Sequence, residues 1–262
     1  MKYKIRRAIR EGGLPTLFER TTRRLERKIS PILQVVWKNS IRKALPQTGF
    51  QRYNKIRIRK RKFGDQVTGI LRDKPGYEEN YVQMIRENVS EQDTVIVVGG
   101  WHGVSSVAAA ENVGENGKVI TYEATKEGAE RVEKVAKLNG VSEFIEVRNK
   151  VVGEDVTDLK SEGTADACIN PSDFEDCDIL GIDCDGCEFE VLENLDCNPE
   201  KIIVEHHGEG KGENGLEFVY DERRLRELLR ERDLGVKTFE VKNRMRYGYE
   251  DKIGWFLGCK EN

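Results

Sequence analysis

The chain has 262 residues, of which 37% are hydrophobic and 35% charged, a composition that suits one globular domain with an extension. No apolar run approaches the roughly 20 residues that span a bilayer, and the basic opening segment lacks a following apolar stretch, so neither a transmembrane helix nor a secretory leader is expected. The net charge of -3 conceals two opposed parts: residues 1–62 hold 20 Lys and Arg against 3 Asp and Glu, and residues 63–262 hold 24 against 44.

In chain order, Leu17, Phe18, Leu25 and Ile29 predict a short amphipathic helix between Pro15 and Pro31. Ser30 then reads as an N-cap, Pro31 as the first helical residue, and Ile32, Val35, Val36 and Ile41 as the buried side of a helix ending before Pro46. Lys55 to Lys62 alternates basic and apolar residues and predicts a strand. A basic extension over 1–62 and a second domain over 63–262 follow from this pattern.

From Gly76 helices and strands alternate. Helices are expected over 76–89, 104–113, 126–139, 188–195 and 221–232, the last capped by Asp221. Strands are expected over 94–98, 118–122, 144–147, 179–182, 201–204, 236–241 and 254–259. Alternation of this kind builds right-handed crossovers on a mostly parallel sheet. All six cysteines, Cys168, Cys177, Cys184, Cys187, Cys197 and Cys259, lie in this part and are expected to be reduced thiols in a cytoplasmic protein.

Ligands of such sheets bind outside the carboxyl ends of the strands. The turn after the first strand of this part is Gly99-Gly100-Trp101-His102-Gly103, whose glycines allow a sharp bend and close approach of backbone to a ligand. Twenty residues beyond Gly103, Glu123 ends the next strand, where an acidic side chain accepts the hydroxyls of a nucleoside ribose. Gly99, Gly100, Trp101, Gly103 and Glu123 are therefore the expected cofactor contacts. The turn lacks the third glycine of GxGxxG, which disfavours a nicotinamide cofactor.

Residues 178–192, from Asp178-Ile179-Leu180-Gly181-Ile182-Asp183 through Cys184-Asp185-Gly186-Cys187-Glu188 to Leu192, resemble the IDxxKIDvEGaExevL signature of the FkbM family. Gly76-Tyr77-Glu78, Asn149-Lys150-Val151-Val152-Gly153 and Ile203-Val204-Glu205-His206 extend the resemblance over about residues 76–207. It implies a Rossmann-like class I methyltransferase fold, with a mostly parallel seven-stranded sheet, helices on both faces and an antiparallel last strand. It also implies S-adenosylmethionine as methyl donor and a hydroxyl acceptor on a glycan or small metabolite. The chain departs from the family where Val97 stands for Asp, Trp101-His102 for Asn and an apolar residue, Gly181 for Lys, and Asp185 for Glu.

Asp183, Asp185, Glu188, Glu205 and His206 are expected to gather at the carboxyl edge of the sheet. Asp183, Glu188 and His206 are the candidates for the base that takes the acceptor proton. Oxygen ligation of a divalent cation by the same cluster is the alternative, but no metal ligand is assigned. Cys184 and Cys187 form a CxxC without a second pair, which reads as packing rather than as zinc or redox chemistry. His102 and His207 carry no signal of their own. The basic extension is expected to meet an anionic membrane surface or a lipid-linked glycan or to stay solvated, with nucleic acid ranked behind these. Nucleic-acid methylation ranks behind the hydroxyl acceptor, since no Asn-Pro-Pro-Tyr or Asp-Pro-Pro-Tyr tetrapeptide is present; a binding protein that has lost catalysis is the third reading.

Overall fold

A computed structural model describes residues 42–63, 65, 71–153, 167–184, 186–208, 210–211, 217–218, 220–246 and 249–260. The two helices expected before Pro46 fall outside this set, except for a helical turn at Arg42–Ala44, and so does Asp185. The chain divides into two compact units, Met1–Pro75 and Gly76–Asn262.

In the first unit β1 (Gln47–Tyr53) and β2 (Ile56–Lys62) form an antiparallel hairpin. Asn54 and Lys55 link them with φ of 45° and 72°, the left-handed pair that matches the right-handed twist of two strands. Ile56 and Ile58 point inward while Arg57, Arg59 and Lys60 are exposed. The strand expected over 55–62 is thus present. Its partner β1 escaped detection because Gln47-Thr48-Gly49 supplies no apolar alternation. Asp65 accepts from Arg42 Nε at 2.7 Å, and Asp73 Oδ1 accepts from Arg52 N and Arg61 Nη2 at 2.6 Å. These bonds tie the segment up to Pro75 to the hairpin, within the unit that ends at Pro75.

The second unit contains α1 (Glu79–Asn88), β3 (Thr94–Val98), α2 (Val104–Val113), β4 (Lys118–Tyr122), α3 (Lys126–Asn139) and β5 (Ile145–Arg148). The short strands β6 (Val151–Val152) and β7 (Cys168–Ile169) pair with each other. There follow β8 (Ile179–Ile182), α4 (Glu188–Asn194), β9 (Lys201–Gly208), the paired β10 (Gly210–Lys211) and β11 (Glu217–Phe218), α5 (Glu222–Arg230), β12 (Leu234–Arg246) and β13 (Tyr249–Lys260). Local chemistry sets the helix ends. The Thr125 hydroxyl caps α3 by accepting from Gly128 N, Gly140 closes that helix at φ 77°, and Asp221 caps α5 by accepting from Arg224 N.

Seven strands form one sheet in the order β12-β13-β9-β8-β3-β4-β5. β13 folds back on β12 and is inserted beside β9, antiparallel to both, whereas β9, β8, β3, β4 and β5 are mutually parallel. This is the Rossmann-like sheet that the resemblance implied. Alternate residues of each strand serve opposite faces. Ile96, Val98, Leu180, Ile182, Ile202 and Val204 pack with Val191 and Leu192 of α4 and Leu225, Leu228 and Leu229 of α5. The other face carries α1, α2 and α3, each packed on the next. The order of strands reverses between β3 and β8, so their carboxyl ends border the crevice in which such sheets bind ligands.

Candidate functional site

The turn leaving β3 is shaped by contacts that leave no room for side chains. Gly99 has φ 93°, and a Cβ there would lie 1.8 Å from the Asp183 carbonyl oxygen. A Cβ on Gly100 would come within 2.8 Å of both Thr121 Cγ2 and Val132 Cγ2. Gly103, at φ 72°, opens α2, whose first N–H groups have no side-chain cap. Trp101 stands out from the turn, 52% exposed at φ 31°, with the Arg131 guanidinium 4.7 Å above its ring.

Glu123 sits beneath this turn. Its Oε2 accepts from Gly100 N at 3.0 Å and Trp101 N at 2.8 Å, and its Oε1 accepts from Thr125 N at 3.1 Å and Thr125 Oγ1 at 2.9 Å. A carboxylate offers about four lone-pair sites, so these donors engage all of them. α3 starts directly against the same carboxylate, since a Cβ on Gly128 would meet Glu123 Oε1 at 2.4 Å. Asn149 Nδ2 donates to the Glu123 carbonyl oxygen at 2.9 Å, fixing the end of β4. The structure thus unites Gly99, Gly100, Trp101, Gly103 and Glu123 in one nest of backbone and carboxylate.

The acidic and histidine residues farther along the edge do not form one cluster. β9 runs to Gly208, past the expected end at Val204, because β13 continues to pair with it through Gly254, Ile253 and Lys252. Residues 205–207 are therefore extended, and their side chains alternate across the sheet. Glu205 and His207 fall on the α1 face with Asp183: His207 Nε2 is 3.1 Å from Glu205 Oε1 and 3.7 Å from Asp183 Oδ1. Trp255 Nε1 donates to Glu205 Oε2 at 2.6 Å. His206 falls on the opposite face, where its Nδ1 lies 4.0 Å from Glu188 Oε2 and its ring stacks on Tyr220 and meets Phe189 edge-on.

This division changes the candidate bases. Burial, reinforced by the neighbouring His207, pushes the His206 imidazole down to about 4, so it is neutral at ordinary pH. Its Nε2 accepts from Asp221 N at 3.1 Å, which leaves the proton on Nδ1, a buried atom without a hydrogen-bond partner. His206 has no available lone pair for an acceptor proton. Glu188 is buried beside it at the start of α4. Asp183 remains at the crevice edge, and His207, which the sequence did not single out, stands with it. The strand parity of Glu205 and His207 is the available signal, and it shows only where β9 continues past residue 204.

Tyr77 and Tyr81 line the α1 side of the Asp183 group. Burial raises both phenols well above their ordinary value, and Asp183 and Glu205 add to the rise. The Tyr81 hydroxyl is fully buried without a hydrogen-bond partner and lies 2.7 Å from the place a Gly181 Cβ would take. Gly181 makes space for it.

The thiols depart from expectation at one pair. Cys184 and Cys187 are joined by a disulfide across the turn between β8 and α4, because the turn at Gly186 brings their Cα atoms to 5.7 Å. Cys168, Cys177, Cys197 and Cys259 are free.

No family model matches the chain, and no curated protein matches it. Solved structures similar to it include an S-adenosylmethionine-dependent O-methyltransferase from Thermotoga maritima, with 19% identity over 76% of this chain and 71% of that one and a TM-score of 0.45. An O-methyltransferase from Bacillus cereus in complex with S-adenosylhomocysteine is similar at 14% identity over 70% and 81%, with a TM-score of 0.42. Trm5b from Pyrococcus abyssi is similar at 13% identity over 83% of this chain and 57% of that one, with a TM-score of 0.49. These likenesses concern the fold.

Proposed function

We propose that the chain transfers the methyl group of S-adenosylmethionine to a hydroxyl on a glycan or small metabolite, in the manner of FkbM-type enzymes. The observation that carries this reading is the Glu123 nest: a buried carboxylate at the end of β4, pressed under a glycine turn at the point where the strand order reverses. The residues fit an adenosyl cofactor. The Gly99 and Gly100 backbone has no space for side chains, Glu123 is an acceptor for a ribose diol, and Trp101 offers an exposed ring at the mouth of the turn. Because four protein donors already engage Glu123, a ribose replaces donors of the turn rather than adding to them.

When bound, this cofactor supplies an electrophilic sulfonium methyl. The chain supplies orientation and proton removal. The edge formed by Asp183, Glu205 and His207 faces the acceptor hydroxyl and promotes loss of its proton, while His206 and Glu188 support the sheet edge from the other face. Calorimetry of the full chain with S-adenosylmethionine tests the reading, with saturable binding expected; no heat at millimolar cofactor overturns it.

The exposed Arg57, Arg59 and Lys60 of β2 are read as a surface for an anionic membrane close to the acceptor. Sedimentation with anionic and neutral vesicles tests this, and tighter binding to RNA moves the acceptor to nucleic acid. Among the described residues no helix is long and apolar enough to cross a membrane.

A further inference from the structure

We propose that Asp183, Glu205 and His207 bind a divalent first-row transition cation. The sequence assigned no metal ligand, and the methyl-transfer reading does not require one; only the cation's use in lowering the pKa of an acceptor hydroxyl rests on that reading. The three donor atoms lie within 4.8 Å of one another. Ligands about 2.1 Å from a common ion stand roughly 3.0–3.4 Å apart at right or tetrahedral angles, and the Nε2 of His207 lies 3.1 Å from Glu205 Oε1 and 3.7 Å from Asp183 Oδ1. Asp183, whose ligand atom lies within 4.8 Å of the other two, moves inward to complete the set. Two carboxylates with one imidazole favour manganese or zinc over calcium, which takes oxygen ligands alone.

The placement is built into the sheet. Ile182 pairs with Val204, so Asp183 and Glu205 leave adjacent parallel strands side by side, and His207 follows two residues on along the same face. Trp255 Nε1 holds Glu205 Oε2 and leaves Oε1 turned to His207, the outer hydrogen bond that commonly orients a ligating carboxylate.

A second, independent observation points to a ligand here. The Tyr81 hydroxyl is fully buried without a hydrogen-bond partner, and it sits over Gly181, two residues before Asp183 on the same face. A buried hydroxyl left unpaired costs about 1–3 kcal/mol, and a cation-bound water or acceptor oxygen would pair it.

Manganese titration of the chelator-treated, dialysed full chain, followed by the electron paramagnetic resonance of free Mn²⁺ and by thermal melting, tests the proposal. One Mn²⁺ per chain and a raised melting temperature are expected, with at least tenfold weaker binding in Asp183→Asn, Glu205→Gln and His207→Gln and unchanged stoichiometry in His206→Gln. Wild-type protein that takes up no Mn²⁺ or Zn²⁺ overturns the proposal, whatever the variants do. So does a folded His207→Gln that binds as the wild type, or a His206→Gln that loses as much. S-adenosylmethionine calorimetry on the same preparation separates the two readings, since cofactor binding without Mn²⁺ sinks only the cation site, and Mn²⁺ binding without cofactor sinks only the methyl transfer.

Discussion

The two ends of the sheet's carboxyl edge solve opposite problems. Under the glycine turn, a single carboxylate is surrounded by donors: Glu123 accepts four hydrogen bonds from Gly100, Trp101 and Thr125. At β8 and β9, two carboxylates and an imidazole crowd one another, and a buried phenol nearby has no partner. The first is a completed structure that a ligand must reopen, whereas the second gathers three possible ligand atoms within 4.8 Å of one another. A carboxylate at a strand end is therefore not a site by its residue type; the donors around it decide what it does.

The largest effect in this comparison is expected at the hinge between the two ends. Gly99→Val places a side chain onto the Asp183 backbone at a φ of 93°, and we expect at least about 3 kcal/mol of lost stability together with undetectable cofactor binding. Thermal melting and calorimetry measure both. A variant that melts and binds like the wild type would show that the turn relaxes freely and that β3 and β8 are not locked together.

His206 gives the next effect, through pH. The unfolded imidazole takes up a proton below about 6.5, while the folded one stays neutral down to about 4, so stability is complete above 6.5 and falls as pH drops toward 4. The loss amounts to at most roughly 3 kcal/mol over that window. Urea unfolding at neutral and mildly acidic pH should show it, and His206→Gln should flatten the dependence; an equal slope in the variant would assign the acid sensitivity to other groups.

Glu123→Gln keeps the shape of the nest but removes its charge and turns one acceptor into a donor facing N–H groups. A loss of about 1–3 kcal/mol in stability and more than tenfold in cofactor affinity is expected. If affinity is kept while stability falls, Glu123 serves the turn alone. The smallest effect belongs to the hairpin. Replacing Arg57 and Arg59 by Glu should cost vesicle binding about 1 kcal/mol per residue at low salt and little at high salt, with cofactor binding unchanged; vesicle sedimentation across a salt series reads this out.

Much of the second unit was visible in the chain. Val95 to Val98 is apolar throughout because both faces of a central parallel strand are covered. Thr125, Gly140 and Asp221 announce their helix ends by side-chain or φ chemistry that needs only local sequence. Hidden features depended on remote pairing. β1 became a strand because β2 pairs with it, and Cys184 found Cys187 because the Gly186 turn folds back.

The same distinction governs the site. Sequence by itself determined the alternation of the longer helices and strands after Gly76, the glycine turn and the acidic residue twenty positions beyond it, since periodicity and glycine conformation act over a few residues. Tertiary structure alone decided which acidic and histidine side chains meet. By pairing with β9 as far as Lys252, β13 keeps residues 205–207 extended, and the two-residue period of a strand then sends Glu205 and His207 to Asp183 and turns His206 away to Glu188.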